Sequence, residues 1–198
     1  GEDNQLHIQV PTLGVIGHSD PFRVDPGSLA SVVLTLDETV RTEGVDAGES
    51  IPLAAEGIDA FGNRVDGAWT VGLQNVAGGM DVDELTLVDG VAFLWVGLTR
   101  AARGDSIWAI DGSSILGGSP AFDVRAAEVA GVSASVSKPW AFVGSPYEVA
   151  ISLIDAFGNP AFGGESTYEV DPVGGLGAPS SGVIAGPSIV TVVFDEAG

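Results

Sequence analysis

The sequence predicts an all-β chain made of two-layer sandwiches repeated in tandem, and three observations carry that expectation. The segment Ile58-Asp59-Ala60-Phe61-Gly62-Asn63 returns ninety-six residues later as Ile154-Asp155-Ala156-Phe157-Gly158-Asn159, a period the length of a whole domain. Apolar residues alternate with period two along Leu6, Ile8 and Val10 and along Tyr147, Val149, Ile151 and Leu153, the mark of half-buried strands. Turn clusters at Asp25-Pro26-Gly27, Gly57 to Gly62, Gly112-Ser113-Ser114, Gly117-Gly118-Ser119-Pro120 and Gly163-Gly164 break these runs at the short spacing of an all-β sandwich. No stretch offers a convincing helix.

In the complete middle repeat, residues 27–126, strand A is expected at 29–36, B at 50–58, C at 68–75, D near 83–88, E at 91–98, F at 105–111 and G at 120–125. Seven strands in about a hundred residues is the immunoglobulin-like count. In that architecture F and G pair with C, and the other strands form the facing sheet.

The ends of the chain are out of phase with this unit. A shift of ninety-six matches Gly186 to Gly90, Val190 to Leu94, Val192 to Val96 and Phe194 to Leu98, so residues 127–198 are expected to hold strands A to E only. A shift of one hundred matches Ile8 to Trp108, Val10 to Ile110 and Phe22 to Phe122, so residues 1–26 are expected to be strands F and G of a preceding repeat. The chain then reads F-G, A to G, A to E, with an orphan hairpin at one end and an incomplete sandwich with a lone C strand at the other. The apolar residues Leu6, Ile8, Val10, Phe22 and Val24 demand burial and are the candidates for strand exchange with a neighbour.

Composition narrows the functional classes. With 27 acidic and 7 basic residues the formal charge is −20, which repels phosphate backbones and anionic membrane surfaces and makes nucleic acid an unsuitable partner. No run approaches the roughly 20 apolar residues of a membrane span, and there is no cysteine for a disulfide framework or thiol chemistry. The chain opens on Gly1 rather than Met, as a processed protein or a piece of a longer one would.

The segments Asp59 to Asn63 and Asp155 to Asn159, each placed between strands B and C, resemble the B-to-C turn of bacterial Ig-like domains of the invasin and intimin type, and more loosely filamin repeats. The likeness extends to Gly90 and Gly186 before strand E and to Phe22 and Phe122 in strand G, and so covers the chain. Family members often follow the Asn with Pro and Val, whereas here Arg64-Val65 and Pro160-Ala161 follow. The resemblance implies a stalk, spacer or fibre subunit of a surface protein. Physically the turn needs no ligand: the Asp accepts bonds from turn amides, Gly62 and Gly158 supply positive φ, Asn63 and Asn159 tolerate the left-handed region, and Phe61 and Phe157 lie under the turn.

Catalytic chemistry finds no footing. His18-Ser19-Asp20 is a tripeptide, and a triad is a spatial arrangement. Asp81, Asp83 and Asp89 are a weak Ca²⁺ candidate without the EF-hand spacing or glycine, and a solvated loop explains them as well. Lys138, the single lysine, sits beside Pro139 and Trp140, which suggest a strand kink rather than the isopeptide bond of some related domains. If Leu94, Val96 and Leu98 face the core, then Phe93 and Trp95 point outward as a contact candidate.

The expectation is a non-enzymatic, extracellular or cell-surface module without cofactor, partnered by copies of itself or by adjacent repeats. Three forms compete: a filament or sheath subunit that exchanges strands, a window on a long adhesin stalk, and an accessory domain pair of a secreted enzyme.

Overall fold

The computed structural model describes residues 4–162, 166–170 and 180–194, so the Gly163-Gly164 turn lies outside the described residues. The chain opens on an antiparallel hairpin of β1 (His7–Val10) and β2 (Val15–His18). Its open end is tied by Leu6 and Ser19, which exchange backbone and hydroxyl hydrogen bonds, and by a bridge between Asn4 and Phe22.

The middle repeat follows as β3 (Ser31–Leu36), α1 (Glu38–Glu43), β4 (Val45–Asp46), β5 (Ser50–Ile58), β6 (Ala68–Asn75), β7 (Glu84–Val88), β8 (Val91–Gly97), β9 (Ala102–Asp105), β10 (Ile107–Asp111), β11 (Ser114–Gly118) and β12 (Phe122–Arg125). Seven strands are hydrogen-bonded in the order β11-β10-β6-β7-β8-β5-β3. Between β7 and β8 only Val88 and Val91 pair, at their hairpin, and the ribbon turns over there into two layers. One is β3-β5-β8, strands A, B and E; the other is β7-β6-β10-β11. Their inner faces meet in a single core that includes Val32, Leu53 and Val96 from the first and Leu73, Leu85, Leu87, Ile107 and Ala109 from the second. A smaller sheet, β4-β12-β9, closes one side with Val45, Phe122 and Val124. This is an immunoglobulin-like sandwich built on alternating residues.

Three features differ from the sequence expectation. Strand D belongs beside C, since β7 pairs with β6 over five residues and touches E only at the turn. Strand G is two strands: β11 extends the sheet beside F, and β12 crosses to the small sheet after Ser119-Pro120. The Gly117-Gly118 pair reads as a turn, yet it is edge strand, because a Cβ on Gly117 would strike the Val32 carbonyl and one on Gly118 would lie 2.7 Å from the Trp108 ring. The third is α1, six residues capped by Asp37, whose side chain accepts from the Thr39 amide, and anchored by the buried Val40. Its brevity hides it from any periodicity. No helix among the described residues is long and apolar enough to cross a membrane.

The last repeat contains β13 (Gly131–Val136), β14 (Pro146–Ile154), β15 (Ser166–Val170), β16 (Ser180–Ile184) and β17 (Ser188–Val193). They form a three-stranded sheet β13-β14-β17 and a two-stranded sheet β15-β16, the counterparts of A-B-E and C-D. Strand C is therefore not alone, as the F-G-C grouping had implied: β16 covers one edge of β15. Its other edge pairs with no strand among the described residues. Between the sheets lies a trough of about 760 Å³ lined by Val132, Ala134, Val149, Ile151, Tyr168 and Ile184, among others.

Candidate functional site

The two copies of the repeated turn are superposable in their bonding. In the first, Asp59 Oδ1 accepts from the amides of Phe61 and Asn63, both at 2.8 Å, and Oδ2 accepts from the Gly27 amide at 2.8 Å. In the second, Asp155 Oδ1 accepts from the amides of Phe157 and Asn159 at 2.9 and 2.8 Å, and Oδ2 from the Ala127 amide at 3.0 Å. Gly62 and Gly158 take φ of 84° and 83°, in the left-handed region open to glycine. Each Asp thus closes its own turn and also holds the linker where the chain enters strand A. Both carboxylates are buried. The Asn63 side-chain amide and then the Gly27 amide hold Asp59 well below the ordinary carboxylate range. For Asp155 burial works against ionisation, but the bonds from Asn159, Ala127 and Phe157 outweigh it and its pKa is also lowered.

The copies differ in what they touch beyond themselves. Asn159 Nδ2 donates to the Thr99 carbonyl at 2.8 Å, and its Oδ1 accepts from the Ala101 amide at 2.9 Å. The ring of Phe157 lies over Gly48, where an added Cβ would come within 2.6 Å of Cε2 and Cζ. The second turn is a plug seated in the base of the middle repeat, between the A–B loop and the E–F loop. Asn63 is likewise bonded to its Asp but to no other repeat among the described residues, and Phe61 is 87% exposed against 47% for Phe157. Neither ring packs under its own turn as the sequence suggests: one faces solvent and the other covers Gly48. Sequence reading had given these residues only an internal turn role. Gly48 carried a signal, since Gly144 stands the same ninety-six residues on; Thr99 and Ala101 carried none, because they bind through backbone atoms.

The terminal hairpin presents the second element of the site. Strict spacing of one hundred had paired Ile8 with Trp108, and the hydrogen bonds correct this by one residue. Ile107 exchanges with Ser119 the same two bonds that Leu6 exchanges with Ser19, and Phe122 pairs with Asp105 as Phe22 does with Asn4. Leu6 and Ile8 therefore occupy the places of Ile107 and Ala109. The extra residue of the terminal hairpin sits in its loop, 11–14 between Val10 and Val15 against 112–113 between Asp111 and Ser114, a difference that the bulge in β11 between its pairings with Ala109 and Ile110 offsets only in part. Ile107 and Ala109 are fully buried, whereas Leu6 and Ile8 are 58% and 62% exposed. Phe22 and Val24 are exposed where Phe122 and Val124 are buried. Val10 takes the place of Asp111, at the solvent end of the hairpin.

The remaining candidates are not brought together. Asp81 Oδ1 accepts from the Gly97 amide at 2.6 Å, and Asp89 accepts from the Gly67 amide at 3.2 Å. Asp81 and Asp83 precede β7 while Asp89 follows it, so a five-residue strand of about 16 Å separates them, and no metal-binding group of side chains is present among the described residues. His18 stacks on His7 at 4.7 Å, and Ser19 Oγ is used by Leu6 and by the Asp20 carbonyl. Phe93 and Trp95 are exposed and meet edge to face at 6.2 Å. Lys138 lies 5.2 Å over the Trp140 ring. The buried Asp105 accepts from Asn75 Nδ2, Ala77 and Ser106 and ties strand F to the C–D loop.

The fold and site together define a tandem of immunoglobulin-like sandwiches joined turn to base. Among solved structures the chain is similar to FdeC, an Escherichia coli adhesin, at 17% identity and a TM-score of 0.45, covering 97% of this chain and 65% of that one. It is also similar to the Yersinia pseudotuberculosis adhesin InvE (13%, TM-score 0.42, 84% of this chain and 53% of that one) and to the D0-D1 domain of intimin (16%, TM-score 0.35, 84% and 86%). The chain thus spans less than two thirds of the length of the first two. No family profile and no curated protein matches the sequence.

Proposed function

We propose that the chain is a structural repeat module of an extracellular or cell-surface protein of the bacterial Ig-like type. Its units stack end to end in a stalk, filament or sheath, and the half-open last repeat is closed by the F-G hairpin of a neighbouring unit. One observation carries this reading: the hairpin exposes the residues whose counterparts Ile107, Ala109, Phe122 and Val124 are buried, and the last repeat has an open trough where strand F would lie. Burying side chains of this kind is worth about 1.5–3 kcal/mol each, and the free edge of β15 offers backbone groups for a new strand.

The hairpin and the trough lie at opposite ends of the middle repeat. The Asp59 turn, which holds the linker from the hairpin, follows the last residue of β5; Gly48, which receives the last repeat, precedes its first. Nine residues of strand put about 30 Å between them. Closure within one chain would require doubling back over a whole domain, whereas a head-to-tail neighbour offers the hairpin directly, and such a heterologous contact propagates.

Sedimentation of the full chain across a concentration series tests this, combined with amide exchange in β15. Association should rise with concentration and protect the Thr167 and Glu169 amides, and Ile8→Asp should abolish both effects. Absence of association in the unsubstituted chain, or association that leaves β15 unprotected, overturns the reading.

A further inference from the structure

We infer that Phe61 and the turn around it are a second docking point between copies, seated on Gly144 of the neighbouring chain's last repeat; the inference rests on the end-to-end reading above. The seat is already visible inside the chain. At the junction of the middle and last repeats the Phe157 ring covers Gly48, and Asn159 grips the backbone of Thr99 and Ala101.

The donor half of this junction and the glycine of its acceptor half recur at the two ends of the chain, without a partner among the described residues. On the donor side, Phe61 and Asn63 stand in the same turn, held by Asp59 as Asp155 holds its own, with Phe61 exposed and Asn63 Oδ1 accepting no bond among the described residues. On the acceptor side, the Gly144 amide donates to the Phe194 carbonyl at 2.8 Å as the Gly48 amide donates to Leu98 at 2.7 Å. Both glycines have positive φ, 72° and 91°. Nothing lies within 4 Å of where a Cβ of Gly144 would be, whereas at Gly48 that space is taken by Phe157.

The two docking points are also geometrically linked. Asp155 holds Ala127, two residues after the end of β12; Asp59 holds Gly27, at the matching place after Val24. A hairpin inserted so that Phe22 and Val24 replace strand G therefore brings the Asp59 turn to the base of the repeat it has closed. The hairpin supplies buried area, and the turn fixes the angle between successive repeats.

Three forms of the full chain test this by sedimentation equilibrium: unsubstituted, Phe61→Asp and Gly144→Ala. The Phe61 ring is exposed in its own domain, so Phe61→Asp should leave melting unchanged while raising the dissociation constant of end-to-end association about tenfold or more. Gly144→Ala should weaken association likewise by placing a methyl under the ring, together with a lowered melting of the last repeat from a side chain at φ of 72°, which Phe61→Asp does not share. Because the contact is head to tail, a mixture of the two variants restores one intact seat per pair. The mixture should associate with near-native affinity and stop at dimers. If Phe61→Asp associates as well as the unsubstituted chain while Ile8→Asp does not, the second docking point is wrong and hairpin donation stands. If both variants are weak and the mixture does not recover, Phe61 and Gly144 do not face one another and the inference fails. If the unsubstituted chain does not associate, the end-to-end reading falls and this joint with it.

Discussion

Asn159 donates to the carbonyl of Thr99, sixty residues earlier and in another repeat, at 2.8 Å. That bond and its companion from the Ala101 amide to Asn159 Oδ1 make the junction a specific joint. The flanking linker is short, but a linker alone would leave the angle between the repeats free.

The first prediction follows from that joint. Asn159→Ala should expose the Ala101 amide and speed its hydrogen exchange, while the melting of the middle repeat changes little, since its core is untouched. Asn63→Ala, at the unseated copy of the turn, should leave Ala101 exchange as it was. Equal effects of the two substitutions on Ala101 would show that the joint does not hold the repeats together in solution.

A second prediction concerns backbone strain. Gly62 has φ of 84° and open space where a Cβ would stand, so a larger side chain meets no neighbour and only the torsion opposes it. Gly62→Val should destabilise the middle repeat by about 1–3 kcal/mol, read from the urea midpoint. Unchanged stability would mean that the turn relaxes to another form.

Acid sensitivity gives a third. The Asp59 carboxyl is held below its ordinary value, chiefly by the Asn63 side chain and the Gly27 amide, while in the unfolded chain it titrates near pH 3.9. Between those values the unfolded state binds the proton and the folded state does not. The stabilisation is therefore complete above the unfolded value and is lost as pH falls through the folded one. Asp59→Asn should flatten the stability profile of the middle repeat below about pH 4. A profile as steep as that of the unsubstituted chain would assign the acid dependence elsewhere.

A fourth concerns Asp105, buried and bonded to Asn75, Ala77 and Ser106. Asp105→Ala leaves the buried Ser106 amide and the half-buried Ala77 amide without their acceptor and should cost about 2–4 kcal/mol in thermal or urea unfolding. A loss below 1 kcal/mol, the scale of a single exposed bond, would show that water replaces the carboxylate.

Much of the fold was written in local pattern. The period-two alternation of β5 and β6 and the recurrence of Asp59 to Asn63 at Asp155 to Asn159 suffice for an all-β tandem, because alternation and turn chemistry are properties of neighbouring residues. What escaped were features set by distant partners. Strand D was assigned to the wrong neighbour because either layer can hydrogen-bond a five-residue edge strand, and only β6 and β7 meeting in space decides it. The glycines of β11 look like a turn until the Val32 carbonyl and the Trp108 ring lie against them. The one-residue shift that places Leu6 and Ile8 in the positions of Ile107 and Ala109 comes from a longer hairpin loop, 11–14 against 112–113, partly offset by a bulge in β11, and strict counting along the chain cannot register it. The joint is the clearest case. The two turns have the same residues, Asp, Ala, Phe, Gly and Asn, and so the same local structure; whether Phe and Asn are seated or exposed depends on the repeat that stands beneath them, and that is a property of the assembled chain alone.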